Sequence, residues 1–169
     1  MSKLFPRLFE PSNLGDMRLK NRIMKAPQHM GLANPDGSVT ERMLRYYKQV
    51  ALGGPAMVIV EYAWIDNDAS KASPCQLGVA DYEQIAGLSL LAGTIQGAGA
   101  KVGLQISHAG RQKFLCRRPI KAASRVPWEE LYYFQGCPPP DELTMQAASS
   151  TPNLLPKLGS RPGVAVDLA

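Results

Sequence analysis

The sequence predicts an α/β domain built on a parallel sheet. Three observations carry that prediction. Apolar runs at 22–26, 56–60 and 102–106 are separated by two stretches with helical periodicity. The second and third runs are almost uninterrupted, as strands buried on both faces are. Each run ends in polar or turn-forming residues: Pro27-Gln28-His29, then Glu61-Tyr62, then Ser107 to Arg111. The order β-α-β-α-β implies parallel strands joined by right-handed crossovers. All strand C-termini then share one edge, where α/β folds bind ligands.

The elements follow in order. Residues 1–22 are punctuated by Pro6, Pro11 and Gly15, and Asn13 to Asp16 reads as a turn between short extended pieces. The first strand, Arg22 to Ala26, stops at Pro27. Gln28 to Gly31 form a loop, and Asn34-Pro-Asp-Gly37 is a tight turn. Ser38 and Glu41 fit a capping box. Met43, Leu44, Tyr47 and Val50 then share a helical face, and Gly53-Gly54 end the helix. The second strand, Ala56 to Val60, leads to Glu61-Tyr62 as its polar terminus and to a loop of small and polar residues, Asp66 to Val79. Asp81 and Gln84 fit a second capping box ahead of Ile85, Leu88, Ala92 and Ile95, with the helix closing at Gly97. Gly97-Ala-Gly-Ala-Lys-Val-Gly103 is not a dinucleotide fingerprint. It closes a helix and precedes a strand, whereas the fingerprint follows a strand and opens a helix.

The third strand carries a polar residue, Gln105, whose amide needs partners in a buried setting. After Arg111 the character changes. Residues 112–142 form a long irregular segment containing Pro119, Pro127, Pro138-Pro-Pro140, Trp128, Tyr132, Tyr133 and Phe134. From Gln146 onward no periodicity is visible, and Pro152, Pro156 and Pro162 argue against a long helix. Val164 to Val166 read as one short strand.

Bulk properties narrow the function classes. The 169 residues are 45% hydrophobic and 20% charged, ordinary for a globular chain, with a formal charge of +5. No run approaches a membrane span, and no secretory signal is visible, so a cytoplasmic setting is expected. Cys75, Cys116 and Cys137 are odd in number and widely spaced, which suggests neither a disulfide framework nor a zinc site. His29 and His108 have no metal-ligand spacing. No Ser or Cys has a His partner evident along the chain, and hydrolase chemistry gains no support from spacing.

Leu8-Phe9-Glu10-Pro11, Leu19-Lys20-Asn21-Arg22-Ile23, Thr40-Glu41-Arg42, Tyr46-Tyr47 and Gln105-Ile-Ser-His-Ala-Gly-Arg111 together resemble the start of the old yellow enzyme family. Its members are also called NADH:flavin oxidoreductases and include ene-reductases and 2,4-dienoyl-CoA reductases. The resemblance covers residues 3–145, so that 1–145 reads as the N-terminal part of an FMN-binding barrel and 146–169 as an irregular tail unlike the family. It implies a TIM (β/α)8 barrel, of which about the first three β/α units are present, since a complete barrel takes about 250 residues. It implies FMN at the strand C-termini, NAD(P)H as reductant and an enone or enoyl substrate. Ala26, Pro27, Gln28 and His29 would lie under the flavin, Glu61 and Tyr62 beside it, and Gln105 would bond its pyrimidine ring. His29 stands where relatives place Thr or Cys. The family's paired His-His or His-Asn for the substrate carbonyl, its proton-donating Tyr, its flavin-contacting Arg and its phosphate loops have no counterpart here, and no catalytic residue is assigned.

Three readings follow. One is the N-terminal part of an FMN-dependent oxidoreductase, inactive alone. Another is a half-barrel completed by a second copy or a complementary half. The third is an anion- or nucleic-acid-binding module built on Arg111, Lys113, Arg117, Arg118, Lys121 and Arg125 beside Phe114 and Trp128.

Overall fold

The structure, a computed structural model, describes residues 4–117, 119–144 and 164–168. One turn of helix, α1 (Pro6–Phe9), leads into an antiparallel hairpin of β1 (Ser12–Leu14) and β2 (Met17–Leu19). The turn between them carries Gly15 at φ 55. The first core strand, β3 (Met24–Lys25), is shorter than the apolar run that predicts it.

Helix α2 (Glu41–Leu52) starts on Thr40, whose Oγ1 accepts the Met43 N–H at 3.1 Å. This corrects the capping box expected of Ser38 and Glu41. Ser38 is drawn back into the preceding turn, where its N–H and hydroxyl both donate to Asp36 Oδ1. In that turn Gly37 has φ 81 and packs against the Trp64 ring, leaving no room for a Cβ.

Strand β4 (Met57–Trp64) runs four residues beyond the expected end at Val60, so Glu61 and Tyr62 lie inside it. It is extended by pairing with β5 (Leu77–Gly78), a two-residue strand too short to leave a periodic signal. The second capping box is present as predicted: Asp81 caps a 3₁₀ turn, and Gln84 Oε1 accepts the Asp81 N–H at 3.1 Å. Helix α3 (Ile85–Gly97) follows with the expected bounds. It closes through Ala98 and Gly99, the latter at φ 87, before β6 (Lys101–Ser107). The glycine run thus lies on the helix-to-strand side, as its order implied.

Strands β3, β4 and β6 pair in parallel. A further strand, β9 (Val164–Leu168), pairs in parallel with β6, giving the order β3-β4-β6-β9. The core forms where α2 and α3 cover the sheet: Met43, Tyr47 and Ala51 meet Leu88, Leu91 and Ile95 over Val58, Val60 and Val102. Each such fully buried aliphatic side chain stabilises the fold by about 1.5–3 kcal/mol.

Beyond β6 the expected irregular segment contains short elements: a 3₁₀ turn at Gly110–Gln112, β7 (Lys121–Ala122), α4 (Glu129–Gln135) and β8 (Asp141–Glu142), parallel to β7. Gly136 ends α4 in the left-handed region at φ 64. Its turn brings Cys137 to Cys116, and the two are joined with their Cα atoms 5.1 Å apart. That pairing corrects the expectation drawn from cysteine spacing, because the fold closes a distance of 21 residues that the sequence leaves open. The boundary expected at 145 lies outside the described residues. No helix among those described is long and apolar enough to cross a membrane.

Candidate functional site

The site grows from an irregularity in β4. Val60 pairs with Leu104 and Ala63 with Ile106, so Glu61 and Tyr62 together oppose the single residue Gln105. Two residues against one is a β-bulge, a device that re-aims side chains at sheet edges and next to active sites. The Glu61 N–H at the bulge is taken up by the Tyr47 hydroxyl of α2 at 2.8 Å. Tyr47 is fully buried, and burial pushes its phenol far up from the ordinary value of 10.

The bulge leaves the Glu61 carboxyl completely buried. Its Oε2 accepts the Met30 N–H at 2.7 Å and lies 2.9 Å from His29 Nδ1. Oε2 acts as acceptor to both, so Nδ1 carries the proton and Nε2 faces away from the carboxylate. There it meets Ser73 Oγ at 3.0 Å. The Tyr62 ring lies 4.9 Å from the imidazole. Burial pushes the Tyr62 phenol up from its ordinary value, and the Ser73 side chain offsets part of that rise. Glu61 Oε1 is buried without a hydrogen-bond partner among the described residues. Burying a polar atom unpaired is costly, and such atoms concentrate where a ligand or ion completes the bonding.

The loop that supplies Ser73 is held firmly. Gln76 is fully buried, and its Oε1 accepts the Ala72 N–H at 2.7 Å and the Ser73 N–H at 3.4 Å. Ser70 O accepts the Ala109 N–H at 3.0 Å, which ties the same loop to the end of β6. Lys25, on β3, is lowered by burial and raised in part by the Glu61 charge.

The structure therefore brings together residues from three strand ends. Ala26, Pro27, Gln28 and His29 follow β3 directly; Glu61 and Tyr62 form the bulge; Gln105 lies opposite them on β6. His29, Glu61 and Tyr62 touch one another. Gln105 is half-buried, is placed level with them by register, and its side chain makes no hydrogen bond among the described residues. A side-chain amide, an orphaned carboxylate oxygen and the exposed residues Ala26 and Gln28 lie along this edge, and their donors and acceptors are of the kind a flavin ring pairs with.

Ser73 is the residue that sequence reasoning missed. It lies 44 residues from His29, in a loop without periodicity, and no spacing rule connects them. His108 is a turn residue: its Nδ1 accepts the Gly110 N–H at 3.0 Å, and burial lowers its pKa. The basic cluster is less of a footprint than its sequence suggests. Lys113 is buried, and its Nζ donates to the carbonyls of Asp68 and Pro119 at 2.7 and 2.9 Å. Phe114 and Trp128 pack edge to face with ring centroids 5.3 Å apart. Arg118 lies outside the described residues.

The profile of the NADH:flavin oxidoreductase / NADH oxidase family matches residues 7–152. The chain is 41% identical over 108 residues to an NADH oxidase of Thermoanaerobacter brockii, a match covering 64% of this chain and 17% of that protein. It is 43% identical over 95 residues to an NADH:acrylate oxidoreductase of Vibrio harveyi, covering 56% and 9%. An Old Yellow Enzyme structure from Pichia sp. superposes with a TM-score of 0.77 over 86% of this chain and 39% of its own, at 21% identity, a likeness of fold. The old yellow enzyme of Trypanosoma cruzi gives 0.73 over 90% and 46%, at 25% identity. The chain thus spans less than half the length of each of these relatives.

Proposed function

Since the chain belongs to the NADH:flavin oxidoreductase / NADH oxidase family, we propose that it is the N-terminal part of an FMN-dependent NAD(P)H oxidoreductase acting on activated C=C bonds of enones or enoyl compounds. Its sheet would be the first three strands of a (β/α)8 barrel. The observation that carries the reading is the juxtaposition of three strand ends: residues 26–29, the Glu61-Tyr62 bulge and Gln105. In a barrel of this kind ligands sit at the C-terminal ends of the strands.

Within that reading, Gln105 presents its amide to the pyrimidine side of the flavin, and the backbone of Ala26 to His29 supports the ring. Glu61, anchored by the Met30 N–H, holds the His29 imidazole in one orientation beside it. The chemistry supplied by bound FMN is hydride uptake from NAD(P)H and hydride delivery to an electron-poor alkene. The NADH:acrylate oxidoreductase among the relatives supports this choice of substrate class. The family's phosphate contacts belong to strands seven and eight, so these residues hold the ring without its phosphate. The expected result is weak flavin binding and no NAD(P)H oxidation by the 169-residue chain.

Titration of the ¹⁵N-labelled chain with FMN tests both parts. Amide shifts at millimolar flavin should be confined to residues 26–30, 61–62 and around 105, with no saturation in the micromolar range. Shifts elsewhere, or none, would remove the site assignment. A yellow protein with stoichiometric flavin and enone-dependent NAD(P)H oxidation would overturn inactivity, and self-association completing the barrel would replace it.

A further inference from the structure

We propose that Ser73 is a nucleophile that accepts acyl groups from small activated esters and thioesters, with His29 as its general base and Glu61 as the residue positioning that base. Glu61 Oε2 lies 2.9 Å from His29 Nδ1, and His29 Nε2 lies 3.0 Å from Ser73 Oγ. Carboxylate, imidazole and hydroxyl in that sequence are the parts of an activated serine, recognised by geometry and role rather than by chain order.

Each part is held. The carboxylate is fully buried and fixed by the Met30 N–H at 2.7 Å. With Nδ1–H committed to Glu61, Nε2 turns its lone pair to the serine hydroxyl. The Ser73 backbone is set by the buried Gln76 amide. Access is open from solvent: the His29 side chain is 28% exposed and Ser73 is half-buried. The flavin reading calls for no bond between His29 and Ser73, and this proposal needs no cofactor.

The step balances without redox change. A bond forms from Ser73 Oγ to the acyl carbon while the hydroxyl proton passes to His29 Nε2. Collapse of the tetrahedral adduct breaks the C–O or C–S bond, and the leaving atom takes that proton. Water, deprotonated by Nε2, then releases the carboxylic acid and restores the serine.

The test uses the purified 169-residue chain with a fluorophosphonate probe, read by peptide mapping, and p-nitrophenyl acetate, read as released nitrophenolate. The expected result is a single phosphonyl adduct on Ser73, lost in Ser73→Ala. Its rate of formation should fall about a hundredfold or more in His29→Gln and in Glu61→Gln. Where Glu61→Gln loses its fold by circular dichroism, the unmutated chain still decides the matter. Absence of a Ser73 adduct under conditions that label a serine hydrolase to completion overturns the proposal. So does labelling spread equally to the exposed Ser124, or an unchanged rate in a folded His29→Gln protein. Flavin titration is read separately, so either idea fails without the other.

Discussion

The sheet edge around Glu61 and the loop that follows β6 are both rich in polar and aromatic residues, and they are held in opposite ways. At the edge, side chains are aimed by strands whose positions a continuous core fixes. Met43, Tyr47, Leu91 and Ile95 are almost fully buried beneath it. In the loop, β7 and β8 have two residues each, α4 has seven, and Tyr133 and Phe134 are 74% and 86% exposed. Lys113 is one polar tie between it and the loop that follows β4. The region proposed for chemistry is therefore the rigid one. The loop is drawn from the low-stability end of the molecule, where local opening is easiest.

The largest expected effect tests that contrast directly. Ile95→Ala empties a fully buried site between α3 and the sheet and should lower unfolding free energy by about 2–5 kcal/mol. Phe134→Ala, on the exposed face of α4, should stay within about 0.5 kcal/mol. Urea denaturation of the purified chain measures both. Comparable losses would mean that the loop shares the core and would break the comparison.

Tyr47→Phe sharpens it from the side of the edge. The change keeps the packing of the ring and leaves the Glu61 N–H without its acceptor in a fully buried position. An orphaned buried donor costs about 1–3 kcal/mol. The pH dependence follows from the raised phenol. A folded-state pKa above the ordinary 10 contributes stability that is fully present below pH 10 and is lost as pH rises beyond it. The wild-type urea midpoint should therefore fall more steeply than that of Tyr47→Phe between pH 9 and pH 11. Parallel curves would show that Tyr47 is not the buried support of the bulge.

The same contrast explains what the sequence made legible. The two helices, the three strand positions and the Asp81–Gln84 box rest on local signals: periodicity, apolar runs and cap residues. Those signals were sufficient because each concerns neighbours within four residues. Ser38 misled because an Asp two residues earlier competed for it, leaving Thr40 to cap α2. The bulge in β4, the β5 pairing and the Ser73–His29 contact depend on register between strands and on a loop returning across 44 residues. No composition or spacing rule encodes them. The resemblance named Gln105, Glu61 and Tyr62 as neighbours; that Glu61 is buried and grips His29 required the fold.

The smallest effect concerns the loop's anchor. Lys113 Nζ donates to two carbonyls that belong to separate stretches, Asp68 before β5 and Pro119 before β7. Burial lowers its pKa, so the desolvation of the ammonium offsets part of what those bonds contribute. Lys113→Met keeps the apolar stem and removes both the bonds and that cost. Global stability should fall by less than about 1 kcal/mol, because the opposing terms nearly cancel. Locally the outcome differs, since the carbonyls of Asp68 and Pro119 lose the ammonium that joins them. Amide exchange across residues 113–122 should accelerate by about tenfold, roughly 1.4 kcal/mol of local protection, while amides of β4 remain unchanged. Acceleration in β4 as well would show that loop and sheet open as one unit, and the division between a rigid edge and a tethered loop would not hold.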